Sequence, residues 1–408
     1  MAASEQEVLR ERLRRDPPER YPVQHATTCF HLGSVLLQAG EVGPAVESLG
    51  AAREGFGRAG MRLETAKATV MLGIGLRTAG RLDDAAGAFS LAEQVLAELG
   101  QPAEQAAAAY NLGLVRQDVG DLDGALRAWA SARETFLAAG HPAQAAAAAR
   151  EAGAALLARG DVDRALPLLE EAAALAERAG DAPGTAAAGN ALGLAHLAAG
   201  DPVTAARVLR RALGFAPRAV RPAEHAMVKA NLALAHEQSG DLPRARLAAR
   251  QALVVPGAAA SVRAQARQVL ERQPAPAYDD LLAVLDDVER QDEVAVLREE
   301  VLRAVELSAA DRSALVGGFL DGVLARPDRC YDLTRSLLEA VLEQPPRPYQ
   351  AMVSALVDAC AARPDADAER VRAVVASALA RFAMPQWQRM VASLNAAAVA
   401  AGRPAAWR

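Results

Sequence analysis

Histidine and cysteine give this chain its widest scope for chemistry, and their spacing argues against most of it. The six histidines, His25, His31, His141, His196, His225 and His236, all precede residue 237. The last third of the chain therefore has no imidazole to act as a general base or to complete a nucleophile relay. His196 and His236 stand forty residues apart in one register and could share a metal, but no third ligand matches them, so packing is the stronger reading. Cys29, Cys330 and Cys360 are far apart and form no C-x-x-C, which excludes a disulfide framework and a zinc site of ordinary spacing. They read as buried thiols in a reducing cytoplasm; Cys330, beside Arg329 and Tyr331, has no base near it to activate it. No phosphate-cradling G-x-x-x-x-G-K-[ST] loop occurs, and carboxylate pairs such as Asp286 and Asp287 fall on a charged helix face. The expectation is a protein with no catalytic residues, cofactor or metal.

The elements that hold these residues are set by a clock. Glycines fall at 40, 80, 120, 160, 200 and 240, a second series runs through Gly33, Gly73, Gly113, Gly153 and Gly193, and a third through Gly60, Gly100, Gly140 and Gly180. Alanine fills every equivalent of Ala45 and of Ala52 through Ala245 and Ala252. A glycine every twenty residues suits the left-handed position that ends a helix, so each forty-residue unit reads as two helices. Pro22, Pro102, Pro142 and Pro222 open the first helix, where a missing N–H costs nothing. A glycine inside that helix costs about 1 kcal/mol in propensity, a loss offset if it lets the partner helix come close. Large residues face it at Leu49, Phe89, Trp129, Leu169 and Leu209.

The stretches Asn111-Leu-Gly-Leu-Val-Arg-Gln-Asp-Val-Gly-Asp and Asn190-Ala-Leu-Gly-Leu-Ala-His-Leu-Ala-Ala-Gly-Asp resemble tetratricopeptide repeats. The resemblance covers about residues 22 to 255 in six units, with Ser261 to Arg272 as a partial capping unit. The period is longer than the family's usual 34 residues, similar to the long-repeat branch that includes kinesin light chains. It implies a right-handed α-α superhelix whose first helices line a groove for a partner peptide or helix. Carried onto this sequence, the groove positions are Phe30, Ser34, Tyr110, Asn111, Arg150, Asn190, Asn231 and Glu237, with Arg77, Gln117 and Gln238 toward the rim. In similar long-repeat proteins an Asn before the Leu-Gly pair bonds the backbone of an extended peptide. Asn111 and Asn231 occupy that slot here; His31, Met71, Glu151 and Ala191 fill it in the other units.

Beyond Gln273-Pro-Ala-Pro the clock stops, and shorter amphipathic runs predict about seven helices of a second, smaller all-helical module. The divisions expected are an N-terminal helix over 1–21, the repeat solenoid over 22–273 and the module over 274–408. Charge is uneven near that junction: residues 207–272 carry an excess of eight positive charges and 279–306 an excess of seven negative. Two solvated faces is the plain reading; the sharper one is that the acidic helices fold against the basic end of the repeats. The chain as a whole has a net charge of -5 and only 4% aromatic residues, and Phe215 is the one aromatic in the basic segment, so nucleic acid is not an expected partner. No apolar leader or membrane-length run is present, which predicts a cytoplasmic protein without a membrane role. The expected function is a non-enzymatic scaffold that binds a protein partner, its C-terminal module capping the array or mediating self-association. The alternatives are a regulator responsive to a small ligand or peptide, or an accessory activity in that module.

Overall fold

The computed structural model describes residues 2–272 and 275–407, all in helices and their connections, with no strand among the described residues. The chain forms two compact units, residues 1–199 and 200–408. The division expected at 273/274 falls on residues outside those described.

The first unit opens with α1 (Ala2–Arg15). First helices α2 (Pro22–Gln38), α4 (Arg62–Thr78), α6 (Pro102–Asp118), α8 (Pro142–Ala158) and α10 (Ala182–Ala198) then alternate with second helices α3 (Val42–Arg58), α5 (Leu82–Glu98), α7 (Leu122–Ala138) and α9 (Val162–Arg178). Every helix packs against the next, and α2 on α4, α4 on α6 and α8 on α10 also stack directly. Each hairpin turn is the same. At the end of α6, Gly120 takes φ 84° while its N–H donates to Gln117 O and that of Asp121 to Arg116 O, the Schellman closure that satisfies the last carbonyls.

Small residues nest the helices. A Cβ placed on Gly33 would lie 2.5 Å from Leu49 Cγ, on Gly73 2.8 Å from the Phe89 ring, on Gly113 2.4 Å from Trp129 Nε1 and on Gly153 2.6 Å from Leu169 Cγ. Each of those four large side chains is fully buried. Gly87, on the exposed side of α5, meets nothing within 4 Å. Gly87→Ala should therefore stabilise the first unit by about 0.5–1 kcal/mol. Gly73→Ala should destabilise it by about 1–3 kcal/mol. Thermal unfolding of the two variants reads the opposite signs directly.

The connection from α1 to α2 reproduces one found 200 residues later. In the second unit, α11 (Pro202–Phe215) stops short before Pro217, and α12 (Pro222–Gln238) follows. Tyr21 N–H donates to Pro17 O as Arg221 N–H donates to Pro217 O, and His25 Nδ1 meets Asp16 O at 2.9 Å as His225 Nδ1 meets Ala216 O at 2.9 Å. A carbonyl only accepts, so both imidazoles carry the proton on Nδ1. By this geometry α1 ends and leads into the next helix as the second helix α11 does, and the matched Pro17/Pro217 and His25/His225, five periods apart, were the sequence signal for it.

The second unit continues with α13 (Leu242–Leu253), α14 (Ala260–Arg272), α15 (Ala277–Asp287), α16 (Arg290–Val305), α17 (Ala309–Leu324), α18 (Cys330–Leu342), α19 (Pro346–Ala361), α20 (Asp365–Leu379) and α21 (Met384–Ala400). Among the described residues, seven helices, α15 to α21, follow α14. They form two rows, α15, α17, α19 and α21 in one and α16, α18 and α20 in the other, around a single large apolar core. Ties along the row of α15, α17, α19 and α21 keep a separation near forty residues: Arg326 with Asp286, Arg363 with Asp321, and Tyr349 Oη donating to Arg389 O. The module is a layered continuation in which Arg-Pro pairs at 326 and 363 mark the helix ends where glycine did before. Trp387 is partly buried on this core and Trp407 is within it.

The acidic helices do fold on the basic end of the repeats within this unit. Asp280, 1% exposed, receives Arg246 Nε at 2.9 Å and Nη2 at 2.6 Å, and Arg250 as well. Arg244 bonds Asp287 at 2.7 Å, Arg218 reaches Glu306 at 3.5 Å, and Lys229 reaches Glu299 at 3.5 Å. A stretch that looked like two solvated faces is an ionic seam.

Candidate functional site

In the first unit the first helices present a repeated stripe, three side chains per helix at spacings of three and four. It reads Lys67, Val70 and Ile74 on α4; Ala107, Tyr110 and Leu114 on α6; Ala147, Arg150 and Ala154 on α8; and Ala187, Asn190 and Leu194 on α10. Apart from the exposed Lys67 and the buried Asn190 (6% exposed), these side chains are half-buried, so they form a surface and not a core.

Its polar centre joins α6 and α8. Arg150 Nη2 donates to Glu151 Oε1 at 2.6 Å, and Tyr110 Oη donates to the same oxygen at 3.4 Å. Burial, reinforced by the Glu151 charge, pushes the Tyr110 hydroxyl up to about 12, so it stays a donor at any physiological pH. Behind it, Trp129 Nε1 donates to Tyr110 O at 3.2 Å, tying this first helix to α7. Between α4 and α6, Arg77 Nε donates to Asp118 Oδ2 at 2.5 Å and Lys67 lies 3.3 Å from Glu104. The charges are thus largely paired from one first helix to the next, leaving apolar side chains with unused contact surface. Sequence reading named Arg77, Tyr110 and Arg150, with Glu151 in the slot of the asparagines, but missed Asp118 and Glu104, whose signal was opposite charge about one period from Arg77 and Lys67.

The other expected positions are placed as follows. Asn111 donates Nδ2 to Ala107 O, 2.8 Å away in its own helix. Ser34 Oγ donates to Phe30 O at 3.0 Å, and the Phe30 ring stands edge-on to His31. Gln117 is exposed near the end of α6. Three positions lie in the second unit, on α12: Asn231 is 5% exposed and accepts from Gln265 Nε2 at 2.9 Å, Glu237 is ion-paired with Arg272, and Gln238 is exposed. The structure therefore brings Arg77, Tyr110, Asn111 and Arg150 onto adjoining first helices of one unit, whereas Asn231 is covered by α14.

No group of three or more metal-ligating side chains converges among the described residues. His236 is buried, and burial lowers its pKa to about 4 against the pull of Asp241, with Arg210, Arg244 and Lys229 adding to the depression. The three cysteines are buried, and burial pushes the Cys29 and Cys360 thiols up, away from reactivity. The His236 shift sets a pH dependence. Its folded-state pKa lies below the ordinary 6.5, so the unfolded chain binds the proton first, and stability present above pH 6.5 is lost as pH falls toward 4. The full shift corresponds to about 3 kcal/mol at most. Urea midpoints measured from pH 7 to 4 should fall, and His236→Asn should remove that slope.

Residues 144–218 match the family model described as tetratricopeptide repeat, a span that begins in α8 and ends just past α11. Over that span the hairpins match this repeat, and the forty-residue register continues the same hairpin geometry through the first unit. No curated protein matches the chain. Among solved structures it is similar to BtubC (BKLC) from P. vanneervenii, at 23% identity over 52% of this chain and 87% of that one, TM-score 0.44. It is also similar to TTC0263, a thermophilic TPR protein in Thermus thermophilus, at 22% identity over 50% and 99%, TM-score 0.36. A third similarity is to the apo form of the quorum sensor NprR from B. thuringiensis, at 14% identity over 78% and 87%, TM-score 0.47. No described helix is long and apolar enough to cross a membrane.

Proposed function

We propose that the first-helix face of residues 22–199 binds a helix or peptide of a partner protein, and that the chain is a non-catalytic cytoplasmic scaffold. The observation that carries this reading is the stripe itself. Its charges largely neutralise one another, so the free valence is an apolar band with one polar centre at Tyr110, Arg150 and Glu151. An amphipathic segment could lay its apolar side along Ile74, Leu114 and Ala154 and match one hydrogen-bonding residue to that centre. Because the helices are already ordered by stacking, little conformational entropy is lost on the protein's side when the segment docks. In the same reading the exposed Gln238, of the three second-unit positions, meets the partner, and the module after residue 273 caps the array or carries a second contact.

Glutamates at Ala147 and Ala154 test this. Both lie on the half-buried face of α8 beside Arg150, so Ala147→Glu with Ala154→Glu should leave thermal unfolding within a few degrees of the parent. Capture of the native partner by the full chain should be lost. Capture at parental strength by the doubly substituted chain would remove the assignment.

A further inference from the structure

We propose that α21 carries a seat for an extended, tryptophan-bearing segment of a partner protein, which residues 403–407 of this chain occupy as a placeholder. The seat is independent of the first-helix face described above. Its place is marked in the sequence. Ala325-Arg-Pro-Asp328 and Ala362-Arg-Pro-Asp365 each lead from a helix of one row into a helix of the other, α17 to α18 and α19 to α20. Gly402-Arg-Pro-Ala405 follows α21 in the same way, and its arginine is used alike: Arg403 Nη1 donates to Ala361 O at 3.4 Å, as Arg363 Nη2 does to Gly317 O at 2.5 Å. After the first two Arg-Pro pairs the chain coils into a helix. After the third it runs on without one through Trp407.

Gly402, at φ 71°, turns the chain back on α21, with Arg403 N–H donating to Ala398 O. Residues 401–406 are all exposed, whereas Trp407 is 8% exposed and belongs to the module's apolar core. One side chain holds its backbone from both sides. Asn395 Nδ2 donates to Trp407 O at 3.0 Å, and Trp407 N–H donates to Asn395 Oδ1 at 3.0 Å. That exchange of both bonds is the pairing of neighbours in a strand ladder, so Asn395 reads an extended backbone whatever its side chains are. Selection is left to the indole. Main-chain bonds with one buried aromatic anchor are a general means of holding an extended peptide.

The placeholder uses only the middle of this face. Met384 and Val399 stand eleven residues before and four residues after Asn395, spacings that put all three on one side of α21. Both remain bare, Met384 at 64% and Val399 at 62% exposure. A partner segment that seats a tryptophan beside Asn395 and lays apolar residues on Met384 and Val399 makes contacts that residues 403–407 do not. It needs them, because the tether keeps the placeholder at an effective concentration of about millimolar.

The probe is the amidated peptide Gly-Arg-Pro-Ala-Ala-Trp, the sequence of residues 402–407, with a fluorophore on its amino end, added to the full chain. Trp407→Ala empties the seat and should bind the peptide one to one, at least about tenfold more tightly than the parent does. Adding Asn395→Ala should weaken that binding about tenfold through loss of two main-chain hydrogen bonds. If the segment only caps the module, Trp407→Ala will lower the unfolding temperature and bind the peptide no better than the parent, which would overturn the proposal. A second reading needs no substitution. In the parent labelled with 5-fluorotryptophan, unlabelled peptide at several times the effective concentration, roughly ten millimolar, should move the Trp407 resonance to that of a solvent-exposed indole and leave Trp129 in place. An unmoved Trp407 would also overturn it. Trp407→Ala and parent chains mixed without peptide should sediment separately; a mixed complex would give the seat to a second copy of this chain and not to a partner.

Discussion

Replacing Asp280 by alanine should destabilise the second unit by about 3–5 kcal/mol, because it leaves two guanidiniums side by side in a buried seam without their shared carboxylate. Asp280 is 1% exposed and Arg246 holds it through two nitrogens, a geometry in which its hydrogen bonds also raise the Arg246 pKa. Urea unfolding of the full chain measures the loss. The contrast that makes the mechanism specific is the triple variant Arg246→Met, Asp280→Leu, Arg250→Met. Removing all three charges removes the desolvation cost too, so this chain should unfold at or above the parent midpoint. If Asp280→Ala falls by less than about 1 kcal/mol, the seam does not hold the acidic helices on the repeats.

Trp129→Ala should cost the first unit a similar amount, about 3–5 kcal/mol, the range for emptying a large buried aromatic site. The indole is fully buried against Gly113 and packs among Ala106, Ala109, Ala125, Ala132 and Phe136. Small neighbours cannot swing in to fill the void, and Tyr110 O loses the indole as a second donor. Trp129→Leu should lose clearly less, since leucine stands at the equivalent Leu49 and Leu169 against Gly33 and Gly153. Thermal unfolding of the two variants ranks them; equal losses would mean that the hairpins are not interchangeable units.

What was legible beforehand follows from what is local. Glycines that end helices and prolines that open them act within one turn, so the first-unit hairpins appear in the structure with helices beginning and ending where the forty-residue register puts them. The Gly113 and Trp129 pairing was legible because it recurs. In the C-terminal module the helix starts were harder to read: α19 begins at Pro346 within a run where Pro345, Pro346 and Pro348 can all stand at or near a helix's first turn. The capping motif at Ser308 was readable, since the cap and the N–H of Asp311 are three residues apart. Side-chain partners were not. Glu151 turning to Tyr110 and Arg150, or Gln265 covering Asn231, depends on which neighbouring helix lies within reach, and no single-helix pattern carries that.

The central claim is that partners meet the first-helix face and not the outside of the hairpins. A photo-crosslinking residue at Gln117, exposed near the end of α6, compared with one at Gly87, exposed on α5, puts that claim to a single readout in the native host. The account predicts a discrete partner adduct from position 117, suppressed by the paired glutamates on α8, and none from position 87. An adduct from 87 alone, or one from 117 indifferent to those glutamates, would contradict it.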